Sequence, residues 1–406
     1  MAERSLNPLR VLVEHRNFRL FWIGQTVSLV GSWMQTVGQG WLALQLSDSA
    51  FIVGLVAAAG SLPILLFSLY AGVLVDRLDK LRIVTIAQVL LSLEAAVLWW
   101  AVWSGTINIP LLVGLTGING LISAVEIPAR QALIVELVGR DDVVDAVALN
   151  SGGFNLARII GPSLAAGVIA SAGLSWCFGI NALSYFAVIG CLLAVKLPPF
   201  VRVRREIAAL QEFREGIAYI RSRREVIGLM GVIAMLAIFG FQYITLMPVF
   251  ARDVLHTNAS GYGLLLTFVG LGAVCGALTL AAVSARVRRG RLFAISTVSF
   301  AALLLLFSLA NNRQFASGVL FFCGLTMLIN GALANGILQS VVPDQLRGRV
   351  MAAYVFVYVG FTPLGSLLAG TIANATSVQW AIGSGAVVML LYSVVAFWKV
   401  PELRSV

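Results

Sequence analysis

Residues 71–82 read Ala-Gly-Val-Leu-Val-Asp-Arg-Leu-Asp-Lys-Leu-Arg, a short charged segment between two long apolar ones. Upstream, 51–75 contains no charge; downstream, 83–104 contains only Glu94. A connection this short joins two membrane-crossing helices on one face of a bilayer. Gly72 lets the helices approach, and Asp76, Arg77, Lys80 and Arg82 sit where helix ends meet lipid headgroups.

The same alternation runs through all 406 residues. The chain is 59% hydrophobic and 11% charged, about half the charge of a soluble protein. About 20 apolar residues cross a bilayer as a helix. Twelve stretches qualify, at 18–44, 51–75, 83–104, 109–131, 146–171, 175–196, 226–250, 261–284, 292–310, 315–342, 350–373 and 378–398. The expected fold is all-α, twelve transmembrane helices in two six-helix bundles related by a pseudo-twofold axis. The first apolar run is long enough to be a retained span rather than a cleaved signal.

The net charge of +10 suggests nucleic acid only until its distribution is read. All but four of the 28 Lys and Arg fall at the N-terminus, in the even-numbered gaps or at the span ends that border them, or at the C-terminus; the exceptions are Arg130, Arg158, Arg252 and Arg313. Positive charge marks the cytoplasmic side, so both termini are expected there, in a multi-pass protein of the cytoplasmic membrane. Anionic membrane lipids are sufficient partners for that charge, with no nucleic acid. Cys177, Cys191, Cys275 and Cys323 lie in apolar stretches without metal-binding spacing. His15 and His256 fall on opposite faces in this topology, so no metal site and no cofactor is expected.

The longest polar stretch, 198–225, separates an N-terminal bundle at 1–197 from a C-terminal one at 226–406. Within it Ile207, Leu210, Phe213, Ile217 and Ile220 recur at helical spacing, which predicts an amphipathic helix lying at the cytoplasmic interface. A shift of 209 residues superposes Gly54 on Gly263, Arg77 on Arg286 and Arg82 on Arg291, the register of a parallel six-helix repeat. It also sets Glu126 against Asn335 and Arg130 against Gln339, so the first half keeps charge where the second is neutral.

Ionisable residues inside spans are functional candidates. Apart from Arg19 and Lys196 at the span ends, they are Glu94, Glu126, Arg130 and Arg158, and no acid occurs between Val254 and Pro343. Proton coupling through a carboxylate therefore falls to Glu94 or Glu126. Asn119, Ser123, Glu126 and Arg130 share one helix face, as do Ser151, Asn155 and Arg158 on the next helix. Glu126 and Arg158 lie at similar depth, either as a pair that opens to take a proton or as a static brace. Glu94 sits near the middle of its span.

Gln25, Ser28, Ser32, Gln35 or Thr36, and Gln39 form a polar stripe on the first span, with Trp33 beside it. Such a row is expected to face water or substrate. Gln242 and Tyr243, then Asn330, Asn335 and Gln339, then Tyr354 and Tyr358, extend an amide-rich, aromatic lining into the second half. A cavity so lined suits a small amphipathic organic molecule better than a phosphate ester, which needs several Arg or Lys. Phosphate-binding loops, His-Glu-x-x-His and Gly-x-Ser-x-Gly are missing, so neither an enzyme nor a direct user of ATP is expected.

The motif Gly-x-Leu-x-Asp-Arg at 72–77 resembles the loop between helices 2 and 3 of the major facilitator superfamily. Glu-Ile-Pro-Ala-Arg-Gln-Ala-Leu (126–133), Ala-Arg-Ile-Ile-Gly-Pro (157–162), Arg-Glu-Gly-Ile-Ala-Tyr-Ile-Arg-Ser-Arg (214–223) and Arg-Gly-Arg-Val (347–350) extend the likeness over nearly the whole chain. Together they are similar to the bacterial branch that includes the enterobactin exporter and macrolide efflux proteins. That resemblance implies alternating access and export of drugs or siderophore-like metabolites driven by protons, from a monomer. It also implies that Asp76 latches onto the helix beginning near Leu346–Val350. Asp79 replaces a glycine of the family's loop motif, and Gly40 stands where many relatives are polar. Lipid or lysolipid translocation by the same fold, and a non-transporting membrane subunit that binds a partner, are the rival readings.

Overall fold

The computed structural model describes residues 9–139, 141–198, 209–283 and 287–405, without the side chains of 68, 69, 73, 76, 209–213, 344, 345 and 405. Among these there is no strand. A short α1 (Arg10–Glu14) precedes α2 (Arg16–Ser47), α3 (Ala50–Asp76), α4 (Lys80–Trp103), α5 (Ile109–Val138), α6 (Val143–Ala172) and α7 (Ser175–Leu193). The linker helix α8 (Ala209–Ser222) leads into α9 (Arg224–Met235), a π-helical turn at Leu236–Gly240, α10 (Gln242–Thr245) and α11 (Met247–Asp253). Then come α12 (Ala259–Val283), α13 (Arg289–Ser308), α14 (Arg313–Val341), α15 (Asp344–Gly360), α16 (Thr362–Ala375), α17 (Val378–Lys399) and the short α18 (Glu402–Ser405).

Eleven of these stretches are long and apolar enough to cross a membrane. The twelfth span is α2, 32 residues long, whose hydropathy is diluted by its glutamines and serines. Two spans are interrupted. The seventh inserts the π turn, a one-residue bulge of the kind found at functional sites, and breaks again before Pro248. The eleventh breaks at Phe361, where Pro363 in the first turn of α16 has no N–H to continue the helix.

One compact unit comprises residues 1–38, 66–107 and 118–205. Its core joins Phe18 and Phe21 of α2 to Leu91 and Ala95 of α4, Leu133 and Ile134 of α5, and Val188 and Leu192 of α7. Lipid is as apolar as these side chains, so close packing rather than hydrophobic burial holds them.

The other unit comprises 39–65, 108–117 and 206–406. Its tightest seam is α12 against α14, where carbonyl oxygens sit over glycines. A methyl group on Gly324 would lie 1.9 Å from the Val269 oxygen, and one on Gly272 just 1.8 Å from that of Phe321. This unit takes in residues from the first half of the chain, so the division into compact units does not fall at the linker, between 1–197 and 226–406. The end of α2 and the α2–α3 loop, with Gly54 and Leu65 of α3, contact carboxy-terminal helices instead, while the start of α5 packs on α2 and α3.

The linker forms the expected helix as α8; residues 199–208, which open it, lie outside the described part. It packs on α15. Glu215 forms an ion pair with Arg349, Tyr219 donates to the Val341 carbonyl (3.4 Å), and Ile220 is buried. Gly216 permits the approach, since a side chain there would meet the Arg349 oxygen at 2.8 Å.

Candidate functional site

Glu94 lies on α4, fourteen residues from its start, or about 21 Å at 1.5 Å per residue, and is 4% exposed. Gln35 on α2 donates from Nε2 to both carboxylate oxygens (3.4 and 3.2 Å), and Asn119 on α5 donates from Nδ2 to Oε2 (2.9 Å). Asn181 on α7, fully buried, fixes the Gln35 amide by donating to its Oε1 (2.7 Å). Gly31 lets α7 come close enough to deliver Asn181, because a Cβ there would meet Asn181 Oδ1 at 2.7 Å. Four helices of one unit thus converge on one carboxyl group. None of its described hydrogen-bond partners is cationic.

Glu126 on α5 is equally buried but differently held. Arg130, one turn on, donates from Nε to its Oε1 (2.9 Å), and Gln88 on α4 donates from Nε2 to the same oxygen (3.1 Å). The two acids form a reciprocal clasp. Gln88 precedes Glu94 by six residues on α4, while Glu126 follows Asn119 by seven on the antiparallel α5. Those spacings span about 9 and 10.5 Å, so one register sets both bonds, each running from an amide on one helix to a carboxylate on the other. Arg158, the expected partner of Glu126, is half-buried on α6.

The stripe on α2 divides. Gln25, Ser28 and Gln35 turn into the protein, which corrects the expectation that the row faces water or substrate; Gln35 is there to hold Glu94. Ser32 and Trp33 are half-buried, Thr36 is exposed, and Gln39 donates to Thr116 (3.3 Å). Trp33 meets Phe154 edge-on at 5.9 Å. Ser123 is half-buried, and Asn155 bonds back to the Ser151 carbonyl (2.9 Å).

Several second-half candidates prove to be packing residues. Tyr243 is 1% exposed, its hydroxyl at 3.7 Å from Met327 Sδ and its ring edge-on to Phe300 and Phe307. Asn330 is buried on Thr297. Gln242 is also buried, donating to the Ala237 carbonyl in the π turn (2.8 Å) and accepting from Ser366 (3.0 Å), so it stitches the interrupted seventh span to α16. Amides in an apolar bundle satisfy one another or the backbone before they offer themselves to a ligand. Accessible surface remains at Asn335 and Gln339, bonded together at 2.6 Å, and at Tyr358, which stacks on the mostly buried Tyr354 (5.7 Å) and meets Phe241 edge-on.

In the charged loop, Gly72 is half-buried and Arg77 exposed, while the Asp76 side chain, and with it the latch onto Leu346–Val350, lies outside the described residues. Asp79 caps α4 by accepting from the Arg82 backbone N–H (3.2 Å), and Arg82 Nε returns to it at 3.4 Å. Lys80 pairs with Glu136 at the end of α5 (3.0 Å), and His15 with Asp142 before α6 (2.9 Å). Sequence reasoning missed Gln88, Asn181 and Glu136. A buried amide is the legible signal: Asn181 is the one Asn or Gln on α7.

Residues 4–406 match the family described as transmembrane secretion effector. The staphyloferrin A transporter of Staphylococcus aureus (strain NCTC 8325 / PS 47) is 27% identical over 366 residues, covering 88% of this chain and 89% of that one. The multidrug efflux pump Tap of Mycolicibacterium fortuitum is 26% identical (92% and 93% covered). The enterobactin exporter EntS of Salmonella choleraesuis (strain SC-B67) is also 26% identical (93% and 91%). Among solved structures, an inward-facing bacterial homologue of the human lysosomal transporter Spinster superposes with TM-score 0.72 at 12% identity over 96% of this chain and 97% of that one. The nucleoside transporter NupG does so at 0.71 and 14%, over 96% and 99%. With eleven membrane-competent helices among the described residues and a match along nearly its whole length, the chain belongs to the transmembrane secretion effector family of major facilitator transporters.

Proposed function

We propose that this multi-pass protein exports small amphipathic organic compounds, of the drug or siderophore-like class, in exchange for protons by alternating access, and that Glu94 carries the proton. It would do so as a monomer in the bacterial inner membrane, both termini cytoplasmic, its halves at 1–197 and 226–406 rocking about the linker. The observation that carries the reading is the Glu94 cage: a buried carboxyl whose described hydrogen-bond partners are all amides. An amide offers either a donor or an acceptor edge, so Asn119 can serve the ionised and the protonated acid in turn by rotating its side chain.

Glu126, the leading candidate from spacing, fits less well. Its partner Arg130 does not lose its proton in proteins. Discharging Glu126 would leave a half-buried guanidinium without its counter-ion, at a cost of about 2–4 kcal/mol. Glu126 and Arg130, tied to Gln88, therefore act as a brace between α4 and α5, with Arg158 on α6 as a gate residue. The test uses ethidium as probe in proteoliposomes under an imposed pH gradient. Glu94→Gln should abolish gradient-driven accumulation and retain equilibrium exchange. Accumulation at the wild-type level in that variant overturns the assignment.

A further inference from the structure

In a chain of alternating spans, the loops after spans one, seven and eleven come out on the side away from the termini, and all three belong to one compact unit. On that face, within a single compact unit, the ends of α2 and α3 meet α11, α12 and α16 in three layers. At the loop, Arg252 Nη1 contacts Asp48 Oδ1 (2.6 Å) while its Nε holds Asp253 Oδ1 (2.5 Å). Asp48 reaches this position in a left-handed conformation, φ 52°, which non-glycine residues seldom adopt and Asp tolerates better than most. Beside it Ser49 Oγ donates to Asn374 Oδ1 (2.8 Å). Seven residues back, about 10 Å deeper, Trp41 stacks on Tyr262 (6.2 Å, 19° between planes), both buried. Gly40 leaves room for that stack, with Pro248 and the Tyr262 hydroxyl each 3.2 Å from where its Cβ would be. On α3, the helix backbone at Gly54 lies against α16: a Cβ there would come within 2.4 Å of the Ser366 oxygen and 3.3 Å of Gly370 Cα.

We infer that these three layers form the gate closing the odd-loop face, and that the Trp41–Tyr262 stack and the Gly54–α16 backbone contact, not the ion pair, hold it shut. The magnitudes decide the ranking. Asp48 is 82% exposed and Arg252 33%, and an ion pair so exposed shifts an equilibrium by no more than about five-fold. Its hydrogen bond to Asp253 raises the Arg252 pKa above its ordinary value. A buried aromatic stack and a methyl-free helix crossing leave no such slack: one added carbon at Gly54 must push the helices apart.

The gate rests on the alternating-access reading but not on Glu94, so its failure leaves the proton assignment standing. Hydrogen–deuterium exchange on the purified full-length protein in detergent tests it. Gly54→Ala and Trp41→Ala should each speed exchange about ten-fold or more in peptides covering 39–65 and 247–262, and slow it in 74–85 and 341–350 on the opposite face. Asp48→Ala should move both in the same directions by about five-fold or less. Unfolding would speed exchange on both faces. Faster exchange on both faces, no change in Gly54→Ala, or a larger effect from Asp48→Ala than from Trp41→Ala overturns the proposal.

Discussion

Asn181 donates to Gln35 Oε1 at 2.7 Å, which obliges the Gln35 amide nitrogen to face Glu94. One asparagine on α7 thereby sets the orientation of a donor on α2 for an acid on α4. Replacing it by alanine should free Gln35 to turn, destabilise the unit by about 1–2 kcal/mol in chemical denaturation, and slow gradient-driven ethidium accumulation. Asn181→Asp should not restore either, because a carboxylate cannot donate to Oε1.

Glu126 and Arg130 should behave as structure. Glu126→Ala strands a half-buried guanidinium and is expected to cost about 2–4 kcal/mol, somewhat less than a fully buried pair. The double variant Glu126→Leu/Arg130→Met replaces the pair by apolar groups and should recover most of that loss, measured as the midpoint of thermal aggregation in detergent. A double variant no more stable than the single would show that the pair is not simply a brace.

Much of this was legible from residue order. The all-helical spans, and a helix within the linker, follow from hydropathy and spacing alone. What spacing does not fix is which polar residue a neighbouring helix presents. Period and register place Asn119, Ser123, Glu126 and Arg130 on one face of α5, but only the crossing with α4 brings Gln88 to Glu126 and Asn119 to Glu94. Tyr243 and Asn330 read as lining because amphipathic side chains in a span look alike whether they meet a ligand or each other. The exchange of α2, α3 and α5 ends into the second unit had no signal in a single sequence, since it arises from contacts between residues as distant as Asp48 and Arg252.

The α12–α14 seam should be intolerant of any side chain. Gly324→Ala places a methyl 1.9 Å from the Val269 oxygen and 3.1 Å from the Ala273 nitrogen, so the backbone itself must move. A loss of about 2–3 kcal/mol, at the upper end for overpacked cores, is expected by urea denaturation. Gly318→Ala on the same helix, where nothing lies within 4 Å, should change stability by under about 0.5 kcal/mol.

The linker helix should matter to transport through α15. Glu215→Ala removes a partner of Arg349, and Gly216→Val forces α8 off the Arg349 backbone. The first should leave ethidium transport within two- to three-fold of wild type, as expected for a partly exposed pair. The second should reduce it much further and expose the chain to trypsin at Arg221–Arg224. Equal, small effects from both would make α8 a passive tether.

Infrared difference spectroscopy on acidification, in detergent and without substrate, tests the central assignment most directly. A buried protonated carboxyl group should appear in wild type and in Glu126→Gln, and be lost in Glu94→Gln. A band that survives in Glu94→Gln and vanishes in Glu126→Gln would contradict the account and return the proton to α5.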